Sequence, residues 1–194
     1  MTMMETEPGR DVIDLLLEQH DEIRSLFSEL RRAQGAAKEE LFEDLVRLLA
    51  VHETAEETVV HPVARRELES GEQMVDQRLE EEDGAKKELA DLYDMGVDHP
   101  EFDRRLRAFE ADVIQHVTKE EAEEFLRLCG AVDLDTLRRM AGALRAAEAA
   151  APTRPRRHAP ESPVGNLVTG PPLALFDRVR DAVREWREKN PDDR

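Results

Sequence analysis

The sequence predicts an all-α protein, an antiparallel up-down-up-down four-helix bundle with a C-terminal helical extension. Three observations carry that expectation. Apolar residues recur at helical spacing along four long stretches. Charged residues reach 38% and Val/Ile/Thr runs are scarce, which disfavours strands. The chain also repeats itself. His52 and Glu56 recur as His116 and Glu120 at an offset of 64, each pair separated by three residues. Setting His20 on Glu82, at an offset of 62, aligns Ile23 with Ala85, Phe27 with Leu89 and Leu30 with Leu92. A duplicated helix pair explains both offsets.

The first helix opens at Asp11, after Pro8-Gly9, and carries Ile13, Leu16, His20, Ile23, Phe27 and Leu30 in one stripe before Gln34-Gly35 ends it. The second lines up Leu41, Leu45, Leu48, His52, Ala55, Glu56, Val59 and Val63, and closes at Ser70-Gly71. Pro62 should bend it, because proline removes one backbone bond and crowds the preceding turn. The third presents Val75, Leu79, Glu82, Ala85, Leu89 and Leu92. Asp98-His99-Pro100-Glu101 reads as the start of the fourth, with a cap, a first-turn proline and a Glu three residues on. Phe102, Leu106, Phe109, Val113, His116, Glu120 and Glu124 then share one face.

A further helix is expected from Asp133 to Ala149, so the bundle unit spans residues 11–150, with 1–10 as a flexible N-terminus. Six of the ten prolines fall between Pro152 and Pro172, around Arg154, Arg156, Arg157 and His158, and make 151–172 an extended linker. Residues 173–190 form an amphipathic helix with Leu175, Phe176, Val179, Val183 and Trp186. Too short to be stable alone in water, it must dock on its own bundle or on a partner, in a monomer or a dimer.

Composition narrows the function classes. A net charge of −17 argues against nucleic-acid binding, which draws on clustered Lys and Arg. No apolar run approaches membrane-spanning length. Cys129 is the single cysteine, which suits a reducing, cytoplasmic setting and is expected to be a packed, inert thiol. Neither a disulfide framework nor a nucleophilic catalytic signature is present, so no catalytic residue is assigned.

The chemistry lies in the polar residues of the apolar stripes. His and Glu four apart return to nearly the same helical face, so each pair can grip one ion. In an antiparallel bundle His20, His52, Glu56, Glu82, His116 and Glu120 converge inside. Buried carboxylates without partners cost several kcal/mol each, and a bound cation resolves that cost. Mixed imidazole and carboxylate donors suit iron, manganese or zinc. The ferritin-like Glu-x-x-His motif is absent, since the residues three before each histidine are Leu17, Leu49, Thr58, Gly96, Val113 and Pro155. His61 lies nine residues after His52, half a turn off the metal face, and is an extra or supporting ligand at most. His99 and His158 fall in loop and linker.

Residues 11–130 resemble the hemerythrins, in particular the bacterial HHE cation-binding domain proteins. The resemblance rests on Glu18-Gln19-His20-Asp21-Glu22, on Val51-His52-Glu53-Thr54-Ala55-Glu56-Glu57 and on His116-Val117-Thr118-Lys119-Glu120-Glu121. It implies two non-haem iron ions held by His20, His52, Glu56, His116 and Glu120, with Glu56 and Glu120 as bridges. The chain departs from the family pattern at Glu82, where the second half usually has a histidine, and at His61, where relatives often place an aromatic residue. A carboxylate at 82 still ligates iron, but it favours the ferric state and weighs against reversible dioxygen carriage.

The function expected from that resemblance is binding or sensing of a small oxidant: dioxygen, peroxide or nitric oxide. The alternatives are a peroxidase, catalase-like or oxidase enzyme at the same centre, an iron store, or a metal-free scaffold whose C-terminal helix binds a protein.

Overall fold

A computed structural model describes residues 9–150 and 172–190, which are helical with short turns and, among the described residues, no strand. Residues 1–8 of the expected N-terminal stretch 1–10 and the linker with Arg154, Arg156, Arg157 and His158 lie outside them. The helices are α1 (Val12–Leu30), α2 (Ala36–Ala55), α3 (His61–Glu67), α4 (Gly71–Met95), α5 (Phe102–Lys119), α6 (Leu126–Ala131), α7 (Leu134–Ala150) and α8 (Pro172–Lys189). A π segment, Glu56–Val60, joins α2 to α3 in one continuous helix, and a second, Glu120–Phe125, joins α5 to α6. Four long helical rods therefore follow one another through short turns, with α1 packed on α2, α3 on α4 and α4 on α5.

Asp11 caps α1 as its sequence context predicts. Its Oδ1 accepts from the Ile13 and Asp14 amides at 2.8 and 3.1 Å, and Asp14 answers by accepting from the Asp11 amide. The turn between α3 and α4 needs Gly71 for closeness: a Cβ there would stand 2.2 Å from the Ala64 carbonyl oxygen. At the fourth rod the structure differs from expectation. Asp98 does not cap it; the helix begins at Phe102, and the His99 Nδ1 accepts from the Glu101 amide at 3.2 Å.

Apolar residues fill one end of the bundle. Phe27 meets Phe109 edge-on at 5.9 Å and Phe42 meets Phe102 at 5.1 Å. Toward the π segments the interior turns polar, and that is where the site lies. Pro62 acts there as anticipated, but by widening the helix rather than only bending it. Lacking an N–H, it leaves the Thr58 carbonyl without its usual partner, and Arg187 of α8 donates to that oxygen at 2.7 Å. The His61 amide reaches back to Glu56 instead.

α8 docks on its own chain, against α2, α4 and α7, burying Leu175, Phe176, Val179 and Val183. Pro172 occupies its first turn, where a missing N–H is harmless. Gly142 of α7 is where Trp186 lies: an added Cβ would meet the indole at 2.6 Å. Cys129, expected to be packed, is instead exposed. Partial burial and the nearby Asp11 and Asp14 push its thiol pKa up, which lowers its reactivity by a different route.

Candidate metal centre

Each rod brings one or two polar side chains to a common level. α1 supplies His20, α2 and its π segment supply His52 and Glu56, α4 supplies Glu82, and α5 with its π segment supplies His116 and Glu120. All six residues are buried, and they form two clusters. In the first, donor atoms of His20, His52, Glu56 and Glu120 all lie within 4.8 Å of one another; in the second, those of Glu56, Glu82, His116 and Glu120 do. Glu56 and Glu120 belong to both, so each can bridge.

The histidines are held in one orientation from behind. His20 Nδ1–H donates to Glu121 at 2.8 Å, His52 Nδ1–H to Gln19 at 3.1 Å and His116 Nδ1–H to Glu81 at 3.0 Å. With the proton on Nδ1, the Nε2 atoms of His20 and His52 can offer the centre a lone pair, and that of His116 can once its second proton is displaced. The His20 and His52 Nε2 atoms stand 3.1 Å apart, lone pair facing lone pair, a contact that an electropositive centre would relieve. Both oxygens of Glu56 and of Glu120, Oε2 of Glu82 and Nε2 of His116 are buried without a well-directed hydrogen bond, although His116 Nε2 and Glu120 Oε1 stand 2.9 Å apart. These atoms converge from three of the four rods, and cations would satisfy them together. The donor set therefore fits metal.

The electrostatics agree. Burial and the neighbouring Glu120 and Glu82 carboxylates push the Glu56 carboxyl well above its usual range. Burial and His20 hold His52 well below the ordinary imidazole value. Glu120 differs from Glu56 because it has two imidazoles to itself, His116 at 2.9 Å and His20 at 3.4 Å. Although burial opposes it, the charge of His116 keeps Glu120 low. His116 is pushed up to about 10 because Glu120 outweighs the cost of burial.

His61 enters by a route that plain helical periodicity misses. Half a turn off the metal face in a regular α-helix, it is swung back by the extra residue of the π segment, to about 80° by the same count. It is not in either donor cluster; it sits between two carboxylates, donating to Glu82 at 2.6 Å and to Glu124 at 3.0 Å. Burial disfavours its charge, but those bonds to Glu124 and Glu82 push it up to about 10.

Other residues of the centre were not singled out from the sequence. Arg78 is fully buried, donating to Glu123 at 2.6 Å and lying 4.0 Å from Glu124. Its position four before Glu82, on the same helical face, was the available signal. Glu53 is buried with its Oε2 unpartnered, and burial with the nearby Glu82 raises it to about 8. Gln19, Glu81 and Glu121, which orient the histidines, each adjoin a ligand position in the sequence.

Comparison with known proteins agrees with this geometry. Residues 11–128 match the hemerythrin HHE cation-binding domain family. A curated relative, a DNA nickase of Nostoc sp., is 28% identical over 116 residues, which is 59% of this chain and 32% of that protein. The chain thus spans about a third of that relative's length. A crystal structure of a hemerythrin HHE cation-binding domain-containing protein from Mycobacterium kansasii superposes with a TM-score of 0.55 at 14% identity, covering 93% of this chain and 89% of that one. That likeness is one of fold. With the family match spanning more than half its length, the chain belongs to the hemerythrin HHE cation-binding domain family.

Proposed function

We propose that the protein holds two non-haem iron ions and uses them to bind or sense a small oxidant: dioxygen, peroxide or nitric oxide. The observation that carries the reading is the double membership of Glu56 and Glu120 in two four-residue donor clusters. One ion would take His20 and His52, the other His116 and Glu82, with both bridging carboxylates shared. When bound, iron would supply open coordination positions and a change of oxidation state. The chain's own residues set the imidazoles, through Gln19, Glu81 and Glu121, and keep Glu82 oriented through His61. Manganese or zinc suits the same donors.

The two clusters are chemically unequal. The first has two imidazoles and two carboxylates, the second one imidazole and three carboxylates. That inequality supports a centre that favours the ferric state at its second position, and so sensing or peroxide chemistry over reversible dioxygen carriage. Elemental analysis and absorption spectroscopy of the protein purified from its native host test the reading. About two irons per chain are expected, with one lost on His20→Ala and both on Glu120→Ala. A metal-free protein of native stability would leave only the scaffold reading. Peroxide turnover separates enzyme from sensor.

A cytoplasmic setting is part of the proposal, resting on the single cysteine; among the described residues no helix is long and apolar enough to cross a membrane. Action on DNA is not carried over from the Nostoc relative. A net charge of −17 opposes phosphate binding, and this chain matches only a third of that protein.

A further inference from the structure

Five of the six donor residues are sealed, with side-chain exposures of 0–1%; His116 alone keeps 11%. What reaches it is a cleft of about 590 Å³ between α4 and α5, with Glu53 of α2 at its floor. The internal repeat explains why the cleft lies here. Ala85 stands where the first half has the fully buried Ile23, and a Cβ at Gly84 would meet nothing within 4 Å. Small residues on α4 leave open the space that Ile23 closes on α1.

The walls are acidic. Five carboxylates line the cleft against three basic side chains besides His116. Each base is paired, Arg104 with Glu101, Arg105 with Glu88 and Asp91, and Lys119 with Glu81, which leaves Glu53, Glu80 and Asp112 of the lining carboxylates without a basic partner among the described residues. At the inner end the cleft is lined by Glu53, 3% exposed, whose Oε2 is buried without any hydrogen-bond partner. Its counterpart in the repeat is Val117, so the carboxylate belongs to this side alone.

We propose that the α4–α5 cleft is the loading port of the centre, a site for an entering divalent cation that Glu53 binds first and passes to Glu82 and His116. The port rests on the two-metal reading above. An acid-lined cleft with low-dielectric walls concentrates cations, and a carboxylate at its end supplies the first ligand exchanged for water. Among the described residues, helix packing buries the other five donor side chains.

Cobalt(II) uptake by the metal-free full-length chain, followed by stopped-flow absorption and closed by elemental analysis, tests this. Gly84→Leu fills the cleft from a position with room for a side chain and should not hinder folding, which a thermal melt verifies. It should slow uptake and chelator-driven release together by about tenfold, the effect of ~1.4 kcal/mol on a barrier, at unchanged final stoichiometry. Glu53→Gln keeps shape, removes the carboxylate that would take the entering cation first, and should slow uptake at unchanged final stoichiometry. Wild-type rates in Gly84→Leu at full loading would overturn the port alone. A wild-type chain that takes up no cobalt would overturn the two-metal reading and the port with it.

Discussion

Replacing Glu56 with Met should raise the stability of the metal-free protein and abolish most of its response to metal. Both Glu56 oxygens are buried without a hydrogen-bond partner, and the nearest imidazole, His52, stands 3.4 Å away. Nothing in the protein itself compensates the removal of this carboxyl from water. Leaving a buried polar group without a hydrogen bond costs ~1–3 kcal/mol. Taking ~2 kcal/mol, and ~2–4 °C per kcal/mol for a chain of this size, the melting temperature in chelator should rise by ~4–8 °C. Metal reverses the order. A ligand at a hundred times its Kd stabilises by ~2.7 kcal/mol per site, and both donor clusters draw on Glu56. The wild type should therefore gain ~5 kcal/mol in excess ferrous iron, or ~10–20 °C, while the variant gains little. Melts of both proteins by circular dichroism, with chelator and with anaerobic iron, give the four numbers. A variant that melts below wild type in chelator would mean that Glu56 makes structural bonds. A variant that keeps the full metal shift would mean that it is no ligand.

Arg78→Met should destabilise by ~3–5 kcal/mol in urea unfolding, because it removes the buried guanidinium beside Glu124 and Glu123. Gly142→Leu should displace Trp186, whose indole occupies the place of the new side chain, and shift the fluorescence of the chain's one tryptophan to the red. Glu82→His alone should bind iron poorly, since it faces one imidazole with another. Combined with His61→Phe it should recover two irons per chain by elemental analysis; equal occupancy in the single variant would refute the coupling of 61 to 82.

The helices were legible because helical periodicity survives in every rod, and the convergence of the six polar residues was legible because each lies in an apolar stripe where a solvated residue would be out of place. His52 and His116 were legible through spacing alone. What periodicity could not give was anything past a π segment. The extra residue at Glu56–Val60 rotates all that follows, so His61, computed to face away, lies within hydrogen-bond reach of Glu82. Arg78 was hidden for another reason: a single arginine in a chain with 38% charged residues reads as surface until its partners are seen. Asp98 misled because cap-like spacing with a proline is satisfied as well by a turn, which is what 97–101 form.

The repeat runs deeper than the donors, and its exceptions follow one pattern. Gln19 orients His52, and Glu81, its counterpart 62 residues on, orients His116, the counterpart of His52. Arg24 pairs with Glu121, and the equivalent Lys86 pairs with Glu57. Phe125 stacks on His20 at 5.4 Å, and the equivalent His61 bonds to Glu82. Around the imidazole of the first half the chain buries Leu16, Val60 and Phe125; at the corresponding positions around Glu82 it buries Arg78, Glu124 and His61. An imidazole donor that is neutral is content against hydrocarbon and an aromatic face. A carboxylate donor in the same place brings a charge, and low-dielectric surroundings would drive it to take up a proton and weaken it as a ligand. His61 counters that by donating a hydrogen bond to Glu82, while Arg78 and Glu124 continue the alternation of charge outward. The change from His to Glu at the ligand therefore comes with a matching change in three supporting side chains. Glu82 thus has supporting bonds of its own, and the two donor clusters differ in kind.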